Sequence, residues 1–156
     1  MMDIQLRLAN EGDITIFCPW IQQLHSHEQH DTQPLHTNIE SNLVEWFKQL
    51  LKDRNSLIIM AEADHSPIGG LIGSITLSGS GLVQNPLMAK VDILWVEQAF
   101  RGHQVANKLV DVFENSAREM GVPYVECSHT ISNKDAEGFW LHQGYQSTAV
   151  TRRKTF

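Results

Sequence analysis

The fold of this chain is decided by residues 91–121, which read VDILWVEQAFRGHQVANKLVDVFENSAREMG. The apolar run over 91–96 predicts a strand. A turn containing Arg101 and Gly102 follows it, and apolar residues then recur every three or four positions up to Gly121, which predicts a long amphipathic helix. The first turn of such a helix leaves backbone N–H groups without partners at its positive end, where phosphate binds readily. This stretch therefore predicts an anion site at the junction of strand and helix.

The composition limits the class of protein. The chain has 156 residues, enough for one domain with its own core, and we expect a single domain over 1–156. No apolar run reaches the roughly 20 residues that cross a bilayer. The first residues lack the basic start and apolar centre of a secretory signal, so we expect a cytoplasmic protein without membrane contact.

Charge and cysteine content exclude further classes. The net charge of −6 disfavours general nucleic-acid binding and weakly favours a cationic substrate. Cys18 and Cys127 lie far apart in the sequence. We interpret them as buried small side chains, because a disulfide framework or a thiolate metal site needs more cysteines.

The rest of the chain alternates predicted strands and helices in the order β-α-α-β-β-β-α-β-α-β. Glycines at 69, 70 and 73 predict a bulge or a close backbone approach within one strand. Pro19 predicts a helix that starts or bends there, and Thr37 with Glu40 predicts a capping box. The other predicted elements are strands over 3–8, 57–61, 68–77 and 124–128, helices over 37–51 and 132–143, a loop over 78–89, and one or two final strands within 145–156.

Two motifs together resemble the GNAT superfamily of acyl-CoA-dependent N-acetyltransferases. The first comprises Leu94-Trp95-Val96, the run FRGHQVA over 100–106, and Leu109. The second comprises Asn133, Ala136, Phe139-Trp140 and Gly144-Tyr145. The motifs cover about the C-terminal two-fifths of the chain, and the element order matches over its whole length. The resemblance implies an α/β (α+β) fold with a central mixed, mostly antiparallel sheet of six to seven strands. About four helices would cover its two faces, and the sheet would splay between the strands at 91–96 and 124–128.

The resemblance also implies a function, the direct transfer of an acetyl group from acetyl-CoA to a primary amine of a small molecule or peptide, without a metal. Gln104 stands where the family has a second glycine, and its side chain could point away, bond a phosphate oxygen or crowd the ligand. Asn133 fits two roles equally, a contact to the pantetheine arm and a helix cap. The implied cofactor-binding residues are Leu94, Trp95, Val96, Arg101, Gly102, His103, Gln104, Val105, Ala106, Asn133 and Trp140.

Asp92 and His129 are the candidate catalytic residues. An amine with a pKa of about 10.4 must lose a proton before it attacks. Asp92 aligns with a strand position that often holds the family's acidic base, although an ordinary surface or salt-bridged aspartate is equally open. The tyrosine that commonly protonates the departing thiolate is Trp140 here, and an indole cannot serve as an acid. His129, Ser128 or water could replace it, and His129 is the better candidate because a histidine titrates near working pH.

Alternative functions remain open at this point. The departures at Gln104 and Trp140 motivate a catalytically silent acyl-CoA-binding regulatory module. A generic nucleotide binder is disfavoured because no Gly-x-x-x-x-Gly-Lys-Ser/Thr run occurs. Homodimers are common among similar proteins, and the residues do not identify the amine acceptor.

Two charged segments remain. Residues 152–154, RRK, predict a solvated edge strand. A histidine-rich segment lacks a recognised zinc spacing. The resemblance implies that the helices here border the acceptor groove, so contact with the substrate is the better functional interpretation. That segment contains His25, His27, Glu28, His30, Asp31 and His36.

Overall fold

The computed structural model describes residues 2–28, 35–79 and 81–156. Five strands and four α-helices lie within these ranges, with short 3₁₀ turns at Glu11–Asp13 and Gln98–Phe100. In chain order the elements are β1 (Ile4–Leu8), α1 (Ile14–His27), α2 (Ile39–Lys52), β2 (Ser56–Ala63), β3 (Ser66–Leu77), β4 (Leu87–Val96), α3 (Val105–Glu119), β5 (Val125–Cys127) and α4 (Lys134–His142).

The sheet follows the strand order β1-β2-β3-β4-β5, so each strand lies beside its neighbour in sequence. The first four strands are antiparallel, and β5 runs parallel to β4. The β4–β5 pairing extends only to the pair Val91 and Cys127. Beyond that pair the two strands share no register, and a gap opens between them.

The expectation of six to seven strands is wrong, because the sheet in the described residues has five. The segment 145–156, expected to supply one or two final strands, forms none. Every residue from 146 to 156 is exposed, including Val150 and Phe156. Strand-forming residue types need a neighbouring strand and a face to bury, and the described residues give this segment neither.

The core consists of two clusters, one on each face of the sheet. Helices α1 and α2 cover one face, and α3 and α4 cover the other. The glycines of β3 allow close packing on both sides: a methyl group at Gly70 would overlap the ring of Phe17 from α1, and one at Gly73 would overlap the ring of Phe113 from α3. The predicted close approach is confirmed at these two positions.

A β-bulge at Asp92 changes the direction in which β4 presents its side chains. Ile72 pairs with Ile93 and Gly73 pairs with Val91, so Asp92 is an extra residue in the ladder. Before the bulge, Val91 packs on the α3 side; after it, Ile93 packs on the α1 side. The bulge thereby turns Leu94 and Val96, rather than Ile93 and Trp95, towards α3.

Two local expectations about helix starts need correction. Helix α1 begins at Ile14 and contains Pro19, so a start at Pro19 is wrong, whereas a bend there stays a prediction. Asn10 and Asp13 form a capping box in the preceding turn and start the helical path earlier. The capping box expected from Thr37 and Glu40 does not form. The residue before α2 is Asn38, which makes no side-chain cap, and its backbone N–H instead donates to the Nδ1 atom of His36.

Candidate active site

The gap between β4 and β5 is the floor of a cleft of about 560 Å³. The start of α3, helix α4 and the end of α1 form its walls. The sequence-predicted site residues all line this cleft except His103, which is exposed at the turn and does not contribute to the lining. Their roles remain predictions. The residues that the structure brings together are Asp92, Leu94, Trp95, Val96, Arg101, Gly102, Gln104, Val105, Ala106, His129, Asn133 and Trp140.

One wall of the cleft is a row of backbone N–H groups. None of the amides from Gly102 to Asn107 has a hydrogen-bond partner within the described residues, and the first helical bond runs from Lys108 N to Gln104 O at 3.1 Å. These six consecutive amides, which we call the cradle, lie at the N-terminus of the fifteen-residue helix α3. Unpaired N–H groups and the helix dipole both favour an anion here.

Two residues of the turn before α3 take the left-handed conformation that the cradle requires. Gly102 has φ +82°, which glycine adopts without strain. Gln104 has φ +63°, at the position where the family has glycine. For a residue with a Cβ this conformation costs roughly 1–2 kcal/mol. The side chain of Gln104 is exposed and makes no capping bond, so the departure from glycine adds strain without filling the cradle with a bonded group.

Arg101 braces the turn against the end of β4. Its Nε atom donates to the Val96 carbonyl at 2.9 Å, and its guanidinium lies 4.9 Å from the centroid of the Trp95 ring. The Trp95 Nε1 atom is buried and lacks a partner within the described residues. Trp20 of α1 joins the same turn, because its Nε1 donates to Glu97 Oε1 at 2.5 Å.

Carboxylates dominate the charge at another part of the lining. Asp92 is exposed and accepts a hydrogen bond from Ser74 Oγ at 2.9 Å. Asp135 also lines the cleft. A negative lining of this kind attracts a cationic group such as an ammonium.

His129 has a defined tautomer. Its Nδ1 atom lies 2.8 Å from the Thr130 carbonyl oxygen. A carbonyl oxygen can only accept, so Nδ1 must carry the hydrogen. In the neutral ring Nε2 then has the free lone pair, and in the protonated ring Nε2 carries a proton that it can give away.

Asn133 is a helix cap. Its Oδ1 accepts from the Ala136 backbone N–H at 3.1 Å at the start of α4. Its Nδ2 donates to Glu28 Oε2 at 3.0 Å, and the Thr130 N–H donates to the same oxygen at 3.0 Å. Of the two roles that the sequence allowed, the structure shows the cap; contact with a pantetheine arm stays a prediction.

Sequence reasoning missed the importance of Glu28, which it considered only as a member of the histidine-rich segment. The two partners of Glu28 lie 102 and 105 residues further along the chain. No local pattern encodes contacts over such distances. The structure places Glu28 and His27 in the cleft lining, whereas His30 and Asp31 lie outside the described residues.

Cys127 and Tyr145 have titratable groups near the cleft that stay protonated. Burial, and secondarily the charge of Glu126, raises the pKa of the Cys127 thiol to about 12. Tyr145 donates its hydroxyl proton to Glu114 Oε2 at 2.7 Å, and burial together with this bond raises its pKa well above the usual range. The Tyr145 hydroxyl is therefore bonded to α3 and does not replace the proton donor that is missing at position 140. The Tyr145 ring contacts the buried ring of Trp140 edge-on.

The described ranges contain neither a metal-ligand cluster nor a membrane-spanning helix. Within residues 2–28, 35–79 and 81–156, no group of three or more His, Cys, Asp or Glu side chains is arranged to hold a metal ion. Every helix there is too short or too polar to span a bilayer.

Comparison with known proteins identifies the family. The family model described as "Acetyltransferase (GNAT) family" matches residues 21–145. This match covers most of the chain, and the chain belongs to the GNAT acetyltransferase family. No curated protein matches it in sequence.

Solved structures share the fold at low sequence identity. An aminoglycoside N-acetyltransferase, AAC(6')-Iy, in complex with CoA superposes with a TM-score of 0.80 at 16% identity, covering 99% of this chain and 96% of that one. A transcriptional regulator from Bacillus halodurans C-125 gives 0.78 at 21% identity, covering 99% and 100%. A ribosomal-protein-alanine N-acetyltransferase from Brucella melitensis biovar Abortus 2308 gives 0.72 at 18% identity, covering 98% and 99%.

Proposed function

We propose that this chain is an N-acetyltransferase that transfers an acetyl group from acetyl-CoA directly to a primary amine. The observation that carries the proposal is the cradle, a row of unpartnered amides that opens onto a cleft between two separated strands. Membership of the GNAT family supports it, as does the similarity to AAC(6')-Iy, which was crystallised with CoA.

The residues present fit acetyl-CoA. The cradle would bind its pyrophosphate through backbone N–H groups, so the side chain at Gln104 does not remove a donor. The β4 backbone past Val91 has no partner strand on the β5 side, and the polar pantetheine arm would bond to it as an added strand does, beside Leu94 and Val96. Acetyl-CoA supplies the activated acyl group, and the protein supplies position and proton transfer.

Asp92 and His129 would handle the protons. Asp92, exposed in the cleft at the bulge, would accept the proton that the substrate ammonium must lose, directly or through a water molecule. His129 would deliver a proton from Nε2 to the leaving group, while its Nδ1–H stays bonded to Thr130. Cys127 lines the same cleft as a protonated thiol, which favours direct transfer over a covalent acyl-cysteine step.

The acceptor would be a cationic amine of a small molecule or peptide. The carboxylates of Asp92 and Asp135 in the lining support this class. The names of two similar structures, an aminoglycoside N-acetyltransferase and a ribosomal-protein-alanine N-acetyltransferase, also describe enzymes that act on amines.

Titration calorimetry with acetyl-CoA tests the proposal first. We expect binding to the wild type, weaker binding to Arg101→Ala and Gly102→Val, and unchanged binding to Lys108→Ala, an exposed α3 residue outside the cleft lining. Absence of any binding to the wild type would refute the assignment. A thiol-release assay over a panel of polyamines, aminoglycosides and peptide N-termini then tests turnover, and Asp92→Asn should lower kcat by about 100-fold.

A second candidate is a catalytically silent acyl-CoA-binding module. The strained Gln104 and the indole of Trp140, which cannot donate to a leaving thiolate as an acid, favour it. The two candidates differ in one result: turnover of any amine in the panel excludes the silent module, whereas tight acetyl-CoA binding without turnover supports it.

A further inference from the structure

We propose that Glu28 is a positioning residue that holds His129 in its Nδ1–H tautomer and aims Nε2 into the cleft. The inference rests on the proposed acetyltransferase function and adds to it the residue that keeps its proton donor in place. Glu28 directly follows α1, and His129 follows β5. Within the described residues, no hydrogen bond joins Glu28 directly to His129.

The connection runs through the backbone of Thr130. Glu28 Oε2 accepts from the Thr130 N–H at 3.0 Å, and the Thr130 carbonyl accepts from His129 Nδ1 at 2.8 Å. A hydrogen bond between a carboxylate and a backbone N–H is stronger than a neutral one and fixes the orientation of the residue that carries it. Glu28 therefore fixes the residue whose carbonyl selects the tautomer of His129.

A second bond makes this arrangement rigid. Asn133 donates from Nδ2 to the same Glu28 oxygen, while its Oδ1 caps α4. Thr130 and Asn133 are further joined by the bond from Asn133 N to Thr130 O at 3.0 Å. The turn after β5 is thus closed on itself and attached to α1 at one carboxylate oxygen. Oε1, the other oxygen of Glu28, has no hydrogen-bond partner within the described residues.

We expect Glu28 to position His129 rather than to hold α1 in place. The start of α1 is fixed by the ion pair of Arg7 with Asp13, and Trp20 in its middle is bonded to Glu97. Within the described residues, the side chain of Glu28 instead bonds only to the turn that carries His129. Removing it should leave the fold and the cradle in place and release the orientation of one imidazole.

A double-mutant cycle with matched variants tests this. Glu28→Ala removes both bonds, whereas Glu28→Gln keeps a carbonyl oxygen that can accept them. We expect Glu28→Ala to lower kcat for the best amine about tenfold, a loss typical of a misplaced catalytic group, and Glu28→Gln to stay within about threefold of the wild type. In a His129→Gln background, Glu28→Ala should cost less than about twofold, because the group it positions is gone. The acetyl-CoA dissociation constant should stay within about twofold throughout.

Nuclear magnetic resonance gives a readout that needs no turnover. Long-range ¹H–¹⁵N spectra of ¹⁵N-histidine-labelled protein distinguish a protonated Nδ1 from a protonated Nε2. The His129 signal, assigned from its loss in His129→Gln, should show the Nδ1–H tautomer in the wild type and in Glu28→Gln, and a mixture or the Nε2–H tautomer in Glu28→Ala.

The outcomes separate this inference from the proposed function. An unchanged His129 tautomer in Glu28→Ala would overturn the positioning role, as would an equal loss of kcat with and without His129. A Glu28→Gln variant as impaired as Glu28→Ala would show that charge, not position, matters, and would also overturn it. A wild type without turnover on any amine, but with the predicted tautomer change, would refute the proposed function and leave the structural inference standing.

Discussion

Two parts of the cleft are built in opposite ways. The cradle comes from consecutive residues, Gly102 to Asn107, and its donors are backbone atoms. The other part, which we call the polar wall, consists of side chains from the C-cap of α1, β4 and the turn after β5: Glu28, Asp92, His129 and Asn133. A site made from one backbone segment depends on local conformation, whereas a site made from distant side chains depends on how the whole fold brings them together. The cradle should therefore tolerate substitutions in the polar wall, and the polar wall should tolerate substitutions in the cradle.

The largest effect that tests this comparison is expected from Gln104→Asp. A carboxylate at the N-terminus of α3 interacts favourably with the helix dipole, by about 0.5 kcal/mol, and repels a bound pyrophosphate. We predict that acetyl-CoA affinity falls about 100-fold while thermal stability is kept or rises, measured by calorimetry and thermal melts. Gln104→Asn is the neutral control and should bind as the wild type does; an equal loss in both variants would mean that shape, not charge, governs the cradle.

A change at the start of α1 should affect stability and the polar wall but not the cradle. Asp13 accepts from both terminal nitrogens of Arg7, at 2.8 and 2.9 Å, and from Asn10 N at 2.9 Å. We predict that Asp13→Asn lowers the free energy of unfolding by about 2 kcal/mol, because charge-assisted bonds to a buried carboxylate are lost. Urea denaturation measures this. If Asp13→Asn lowered acetyl-CoA affinity more than amine turnover, the cradle would not be independent of the rest of the fold, contrary to the comparison.

The ion pair of Arg7 with Asp13 predicts that the stability of the protein depends on pH. The hydrogen bond from Arg7 is the main cause that lowers the pKa of Asp13 below its ordinary value of 3.8. A carboxyl with a depressed pKa in the folded state stabilises the protein above the ordinary pKa, and this contribution is lost as the pH falls through the lower, folded value. Between pH 7 and pH 3 the wild type should lose more unfolding free energy than Asp13→Asn does; parallel losses would show that other groups dominate.

A smaller effect is expected from Gln104→Gly, which relieves the left-handed strain at φ +63°. We predict a gain of about 1 kcal/mol in unfolding free energy, since glycine accepts this conformation without a Cβ clash. Acetyl-CoA binding should stay the same or tighten, because every cradle amide is retained. Loss of affinity on this change would mean that the glutamine side chain itself holds the ligand.

The smallest effect is expected from Cys127→Ala. The thiol lines the cleft, but with a pKa near 12 it is not a thiolate at neutral pH. Turnover should stay within about twofold of the wild type, and iodoacetamide at pH 7.5 should label native Cys127 much more slowly than the unfolded chain. A collapse of turnover with accumulation of an acetylated wild-type enzyme would replace direct transfer by a covalent route.

The same contrast explains what the sequence predicted and what it did not. The periodicity after Gly102 gives α3 within one or two residues, and the strand ending at Val96 and the turn at Arg101 were predictable because their geometry is local. The role of Glu28 could not be predicted from the sequence, because it depends on hydrogen bonds to Thr130 and Asn133, which lie more than a hundred positions away. The last predicted strands failed for a related reason: residues such as Thr148 and Val150 favour a strand, but a strand exists only where a neighbour accepts it.

The glycines of β3 have a consequence for the cleft, although β3 contributes no residue to its lining. At Gly73 the ring of Phe113 rests directly against the strand, and this contact sets how high α3 stands above the sheet. The cradle amides lie at the N-terminus of that helix. A methyl group added at Gly73, on the strand beneath, would therefore move the whole cradle away from β4. The dimensions of this binding site are in that sense determined by a missing side chain one layer below it.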